Sequence, residues 1–262
     1  ARQLRNHKDI LVATDPISIT QYLYFNCSKP PFDDVRLRQA VVQAIDLQTV
    51  VKDLVLGFGE PGRSLLSPIS KRWFSPKGGV KHDPAEAASL ARSALAGKRV
   101  EVVFPFSPPT GQAKPYKEIA EYMQAVLRPI GIDLRLQNLE YGALTDVVNR
   151  GEWQLRFSQM GWANGDPHFI FGNHLHSKGG ANTTSKGGYH NQEVDSLVDA
   201  GRNEFDYQCR YAIYERLQEL AATEAPVISL YHEVAPYAYR RNISGLRHRA
   251  NFQPTFDTMT RA

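Results

Sequence analysis

The residues best suited to chemistry gather in one stretch, SQMGWANGDPHF, residues 158–169. Trp162 offers a flat apolar face that stacks on a side chain or closes over a buried molecule. Asp166 is an acid able to pair with a cationic group, a bond that strengthens where water is excluded. Asn164 is the nearest other hydrogen-bonding side chain. The same letters also read structurally, as a core tryptophan and an Asp-Pro turn. Just upstream, Arg156 lies inside the strand-like WQLRFSQM, where a buried cation needs a reason. It catches a carboxylate or pairs with a structural acid, and the second is the expectation. In HLHS, an extended backbone would put His174 and His176 on one side, as a metal site wants, although two histidines in a loop are more commonly surface residues.

Catalytic signatures are missing. The glycines of SKGGANTTSKGG lack the strand-to-helix context and the Gly-Lys-Ser/Thr of a phosphate loop. The serines of FSPPTG and LLSPIS have no nucleophile-elbow spacing. Glu118 and Glu121 read as the solvated side of a helix, and no acid pair or Ser/His/Asp arrangement stands out. Sequence order alone leaves a triad open; the expectation, which the resemblance described below carries, is a protein that is not an enzyme and needs no cofactor or metal.

Bulk properties agree with a globular protein. The 262 residues are 42% hydrophobic and 22% charged with a formal charge of +4, near globular averages and only mildly basic. RHRA and YRR are the densest basic groups, too short to imply nucleic acid. No apolar run is long enough to span a bilayer, and the first residues carry no signal-peptide core. Cys27, in a strand pattern, and Cys209, in a helix pattern, read as two independent buried thiols in preference to a bridge.

Several elements position these residues. ITQYLYFN, residues 19–26, reads as a strand that Pro30 and Pro31 end. Asp33 or Asp34 then caps a helix on which Val35, Leu37, Val41, Val42, Ala44 and Ile45 share a broad apolar side. Arg38 falls on that side and either snorkels out or meets a buried partner such as a carboxylate. Asp46 caps a second helix stopped by Gly57. GFGEPGRSLLSP is turn-rich, and Asp83 with Pro84 opens a third helix. KRVEVVFPF, IDLRLQ and EWQLRFSQMGW read as strands. The first two are separated by the clearest helix, where Ile119, Tyr122, Met123, Val126, Leu127 and Ile130 recur at three- and four-residue spacings; a short helix, YGALTDVVNRG, precedes the last. This order predicts βαβ crossovers and a partly parallel sheet. Residues 161–191 read as a long loop, followed by two helices and two extended segments, PVISLYHEV and APYAYRRN.

Taken together, YLYFN, PPFDDVRLRQAVVQAIDLQTVVKDLVLGFGEPGRSLLSP, HDPAEAASLARSAL, IAEYMQAVLRPIGIDLRLQ, GW…GDP and PVISLYHE resemble, in colinear order, the bacterial extracellular solute-binding proteins of family 5. These serve ABC importers for dipeptides, oligopeptides, nickel and related solutes. The resemblance implies an α/β fold, the C-terminal lobe of a type II periplasmic binding protein, with βαβ units, a mixed sheet, hinge strands and remnants of the first lobe. Residues 1–25 would be hinge and first-lobe remnant, 26–230 the second ligand-binding lobe, and 231–262 the return hinge strand with a further remnant. Complete members are longer, with a signal peptide and most of a first lobe before the equivalent of residue 20. YLYFN and PVISLYHEV would cross between lobes.

The resemblance also places the ligand-contacting loop at SQMGWANGDPHF and Arg63 near the cleft. The candidate contacts are therefore Trp162 and Asp166 on that loop and Arg63 by the resemblance, with Asn164 as the nearest other hydrogen-bonding side chain and Arg156 as the cation inside the preceding strand. In dipeptide-binding relatives the acid follows the tryptophan at a slightly different spacing, so Asp166 matches either the ligand acid or a structural Asp-Pro. The expected function is capture of a short peptide or similar small polar solute in the periplasm, by a monomer that delivers it to ABC permease subunits. The alternatives are a nickel-chelate binder of the same family, the sensing domain of a transcription regulator and, third, a hydrolase.

Overall fold

The computed structural model describes residue 4 and residues 6–107, 114–161, 165–249 and 253–261. Ile10–Phe25 form one long strand, β1. It starts well before the expected Ile19 because its outer half is held by a strand from the far end of the chain. In α1 (Val35–Ala44) the Asp34 carboxylate accepts the Arg36 backbone N–H, a cap worth about 1 kcal/mol. Leu37, Val41, Val42, Ala44 and Ile45 are buried as the periodicity requires, but Val35, in the first turn, is exposed. Arg38 is buried and donates to the carbonyls of Glu224 (2.7 Å) and Phe32 (2.8 Å), with the Glu224 carboxylate 3.7 Å away. Its partners are thus mainly backbone oxygens.

Asp46 caps α2 (Leu47–Thr49), which runs on as a π-helical turn over Val50–Leu54. The region expected to be only turns contains a short strand, β2 (Gly59–Pro61). Asp83 caps α3 (Pro84–Leu95) with Pro84 at its first position. Then follow β3 (Val100–Phe106), α4 (Tyr116–Leu127), β4 (Ile132–Asn138), α5 (Tyr141–Asn149) and β5 (Leu155–Gly161). The expected long loop holds two short helices, α6 (Pro167–His174) and α7 (Gly180–Thr183), before α8 (Gln192–Asn203), α9 (Tyr207–Glu224) and β6 (Val227–Arg240).

The strands named so far build two sheets, one antiparallel and one parallel. Four strands lie in the order β2-β6-β1-β5, all antiparallel. The βαβ unit expected from the sequence is β3-α4-β4, with β3 and β4 parallel from Val100↔Ile132 to Phe106↔Asn138. Gln154 joins the two sheets. Its backbone N–H donates to the Val103 carbonyl at 3.2 Å, its side-chain oxygen accepts the Val103 N–H at 2.7 Å, and its side-chain amide donates to the Pro30 carbonyl at 2.9 Å. A side chain thus supplies the bond that a strand ladder would otherwise make.

Strand alternation gives the sheet two apolar faces. Leu23, Phe25, Leu155, Phe157, Ile228 and Leu230 point to one, covered by α1, α3 and α4. Tyr22, Tyr24 and Val227 point to the other, covered by α6, α8 and α9. The result is three layers, helix on sheet on helix. Beyond the layers β1 and β6 continue as a ribbon, paired from Ile10↔Arg240 to Pro16↔Val234. At its base the register slips between Pro16 and Thr20 and again between Gln21 and Tyr22. Such irregularities bend a ladder and re-aim its side chains. Cys27 and Cys209 are both free; Cys27 is half-buried, and Cys209, expected to be buried, is exposed. Among the described residues no helix is long and apolar enough to cross a membrane.

Candidate ligand-binding site

A polar cluster is buried where the β1–β6 register slips, on the face covered by α4. Gln21 of β1 donates its amide to the Gln159 side-chain oxygen of β5 at 2.9 Å and to the carboxylate of Glu233 on β6. The Tyr116 hydroxyl, from the first turn of α4, donates back to the Gln21 oxygen. Tyr116 is set in place by stacking on Phe157, their centroids 4.7 Å apart. The second Glu233 oxygen meets the Lys114 ammonium at 2.6 Å. Lys114, Tyr231 and Glu233 line a cleft of about 520 Å³ whose other walls include Ile17, Ile19, Leu56, Phe58 and Pro236. Burial raises the hydroxyl pKa values of Tyr116 and Tyr231, and the nearby Glu233 charge adds to the effect. Both phenols stay protonated donors at neutral pH.

The cleft lies beside the C-terminal end of β5, whose last residue, Gly161, pairs with the cleft residue Ile19; strand ends of this kind are a usual place for ligands in α/β folds. An apolar wall with a few convergent polar groups can hold a small molecule by enclosure and fix its orientation through charge.

The expected contact residues are scattered. Trp162 and Asn164 lie outside the described residues; the preceding Gly161 ends β5 and pairs with Ile19, a cleft residue. Asp166 caps α6: its carboxylate accepts the His168 backbone N–H at 2.8 Å, and the Arg210 guanidinium donates to both its oxygens at 2.9 Å. The Asp-Pro therefore has a structural role, as one of its two readings proposed.

Arg156 faces the opposite side of the sheet from the polar cluster. It is 9% exposed, with its guanidinium 4.2 Å from the Tyr24 ring centre and 5.0 Å from that of Trp153. The structural acid expected beside it is not found among the described residues; aromatic faces meet the charge instead. Burial lowers its pKa and the Tyr24 hydroxyl opposes this. Arg63 is exposed and follows β2, across β6 and β1 from β5. The structure does not bring it together with Asp166 or Arg156.

His174 and His176 part company because α6 replaces the extended backbone that would align them. His174 is buried and hydrogen-bonds the Tyr24 hydroxyl, and burial, aided by the Arg156 charge, holds its pKa down at about 3. His176 lies 3.5 Å from Asp199 and 3.8 Å from Asp195. Among the described residues no group of three potential ligands is placed to hold a metal ion.

Gln21, Lys114, Tyr116, Tyr231 and Glu233 were not anticipated as site residues. The available signal was polarity inside buried strands: Gln21 interrupts ITQYLYFN and His232-Glu233 interrupt SLYHEV. A buried polar group needs a partner, and several on neighbouring strands mark a shared cluster.

The model of bacterial extracellular solute-binding proteins, family 5 (middle), matches residues 1–182. The dipeptide-binding protein of Escherichia coli is 23% identical over 246 residues, covering 93% of this chain and 46% of that protein. Dipeptide-binding protein DppE of Bacillus subtilis is 25% identical over 258 residues, covering 93% and 47%. The crystal structure of a Pseudoalteromonas dipeptide-binding protein in complex with Met-Leu superposes with a TM-score of 0.84 at 23% identity, over 100% of this chain and 52% of that one. That likeness establishes the α/β fold. The chain spans about half the length of the curated relatives it matches.

Proposed function

The chain belongs to the bacterial extracellular solute-binding proteins of family 5, and from that membership we propose that it captures a short peptide or similar small polar solute outside the cytoplasm and delivers it to an ABC permease. In this reading residues 26–230 form one ligand-binding lobe, together with the inner part of β1 (residues 21–25) that fills the middle of their sheet and the adjoining Tyr231 and Glu233 of β6. The β1–β6 ribbon crosses toward a second lobe, and closure of the two buries the solute without breaking its bonds. The family's dipeptide-binding relatives favour a peptide over other solutes.

The observation that carries the reading is the cleft at the base of the ribbon, with a buried ion pair set in apolar walls. Two crossing strands with a register slip provide a place to rotate, and a cleft beside it changes shape as they do. Trp162, Asn164 and Asp166 on the segment after β5 remain proposed contacts of the closed form, with Arg63 as a weaker one; Arg156, buried on the opposite face of the sheet, is not among them. A thermal-shift screen of the complete two-lobed protein against dipeptides, tripeptides and nickel chelates tests the proposal. Stabilisation that grows with peptide concentration is the expected result. No shift with any member of the panel removes the basis for transport.

A further inference from the structure

We propose that the Lys114–Glu233 pair is a displaceable counter-charge that selects solutes carrying a free ammonium and a free carboxylate together. The proposal deepens the solute-binding reading above and rests on it.

The two halves of the pair are held very differently. Glu233, its side chain 10% exposed, is the fixed half. One of its oxygens takes the Gln21 amide, and Gln21 is itself held by Gln159 and Tyr116. Lys114, 15% exposed, is the movable half. Its charge rides on a flexible four-carbon stem, and among the described residues Glu233 is its one ion-pair partner. Both line the cleft, as does Tyr231, whose buried hydroxyl has no hydrogen-bond partner among the described residues. The site therefore holds a charge pair ready to exchange and a neutral donor waiting for an acceptor.

Desolvation decides which solute can enter. Breaking a mostly buried ion pair is costly because it leaves a charge without a partner. A solute with only a cationic group satisfies Glu233 and strands Lys114. One with only an anionic group satisfies Lys114 and strands Glu233. A zwitterion does both: its ammonium takes the place of the Lys114 ammonium on the outer Glu233 oxygen, and its carboxylate receives the released Lys114. Charge in the cleft is balanced before and after, and the apolar walls favour a solute with an aliphatic side chain.

Calorimetry on the complete two-lobed protein with alanyl-leucine, its N-acetyl derivative and its C-terminal amide tests this. The wild type should bind the zwitterion at least about tenfold tighter than either blocked form, as expected for an unpaired buried charge. Glu233→Gln should erase the preference over the acetyl form, and Lys114→Met the preference over the amide. The double variant, which leaves neither charge stranded, should bind all three alike with an unfolding midpoint near that of the wild type. Unchanged ratios in both single variants overturn the selector and leave the solute-binding reading intact. Failure of the wild type to bind any of the three overturns the peptide reading, and the selector with it.

Discussion

Arg156 and Tyr24 face each other across the β1–β5 ladder, and the guanidinium carbon of one lies 4.2 Å from the ring centre of the other. The charge is buried against π-electrons with its Nε unpaired among the described residues, so it contributes packing area more than ion-pair energy. Arg156→Met should therefore leave stability within about 1 kcal/mol of the wild type or raise it. Arg156→Ala, which empties the space, should cost about 2–4 kcal/mol. Denaturant midpoints separate the two. A large loss in the Met variant would show that the charge itself holds the fold.

Asp166 combines a helix cap with an ion pair, and the two roles are separable. Asp166→Asn keeps an oxygen for the His168 N–H but gives up the charge facing Arg210, whose side chain is 17% exposed. It should cost about 1 kcal/mol. Asp166→Ala loses both and should cost about 2–3 kcal/mol. Equal losses in urea titrations would mean that one role is idle.

Asp46, Asp83 and, as one of two candidates with Asp33, Asp34 were legible as caps because a cap is a contact between residues two or three apart. The crossover through α4 was legible for a similar reason: Ile119, Met123 and Leu127 carry a helical period between two strand-like runs. What escaped the sequence is non-local. The outer half of β1, with Asp15 and Pro16, does not look like a strand and becomes one only against β6. The segment after β5 contains helices because Asp166 and Pro167 start one, a signal overridden there by its glycines and polar residues. Lys114 and Glu233 meet only once α4 packs against the sheet, so neither residue announces the pair by its neighbours. Of the two readings of Arg38, snorkelling out or meeting a buried partner, the structure shows the second, and its main partners are backbone carbonyls, which leave no trace in side-chain spelling.

Acid should loosen this fold before its carboxylates titrate. Burial holds the imidazole pKa of His174 and of His232 at about 3, below the ordinary 6.5. Between those values the unfolded chain binds more protons than the folded one. Stability is therefore full above about pH 6.5 and falls as pH drops, by on the order of 2 kcal/mol per histidine by about pH 5. That window lies above the carboxylate range. His174→Gln should reduce the slope of unfolding free energy against pH there, leaving the shares of His232 and of His168, which burial also holds below its ordinary value, as measured by chemical denaturation. An unchanged slope would mean that His174 takes up its proton in the folded state.

The last prediction concerns the chain by itself. Its cleft is bounded by the end of the sheet, the start of α4 and the base of the β1–β6 ribbon, so one side of any bound solute still faces water. Affinity for a small solute grows with the share of its surface removed from water and with the strength of charge contacts in a dry site. Open to solvent, both terms shrink, while the cost of immobilising the solute remains. On the proposed two-lobe reading, residues 1–262 alone should therefore bind alanyl-leucine no tighter than about 100 μM, and a form that also carries the proposed second lobe at least about a hundredfold tighter. Titration calorimetry on both forms reads the difference. Tight binding by these residues alone would place the whole recognition site within them and overturn the proposed need for closure.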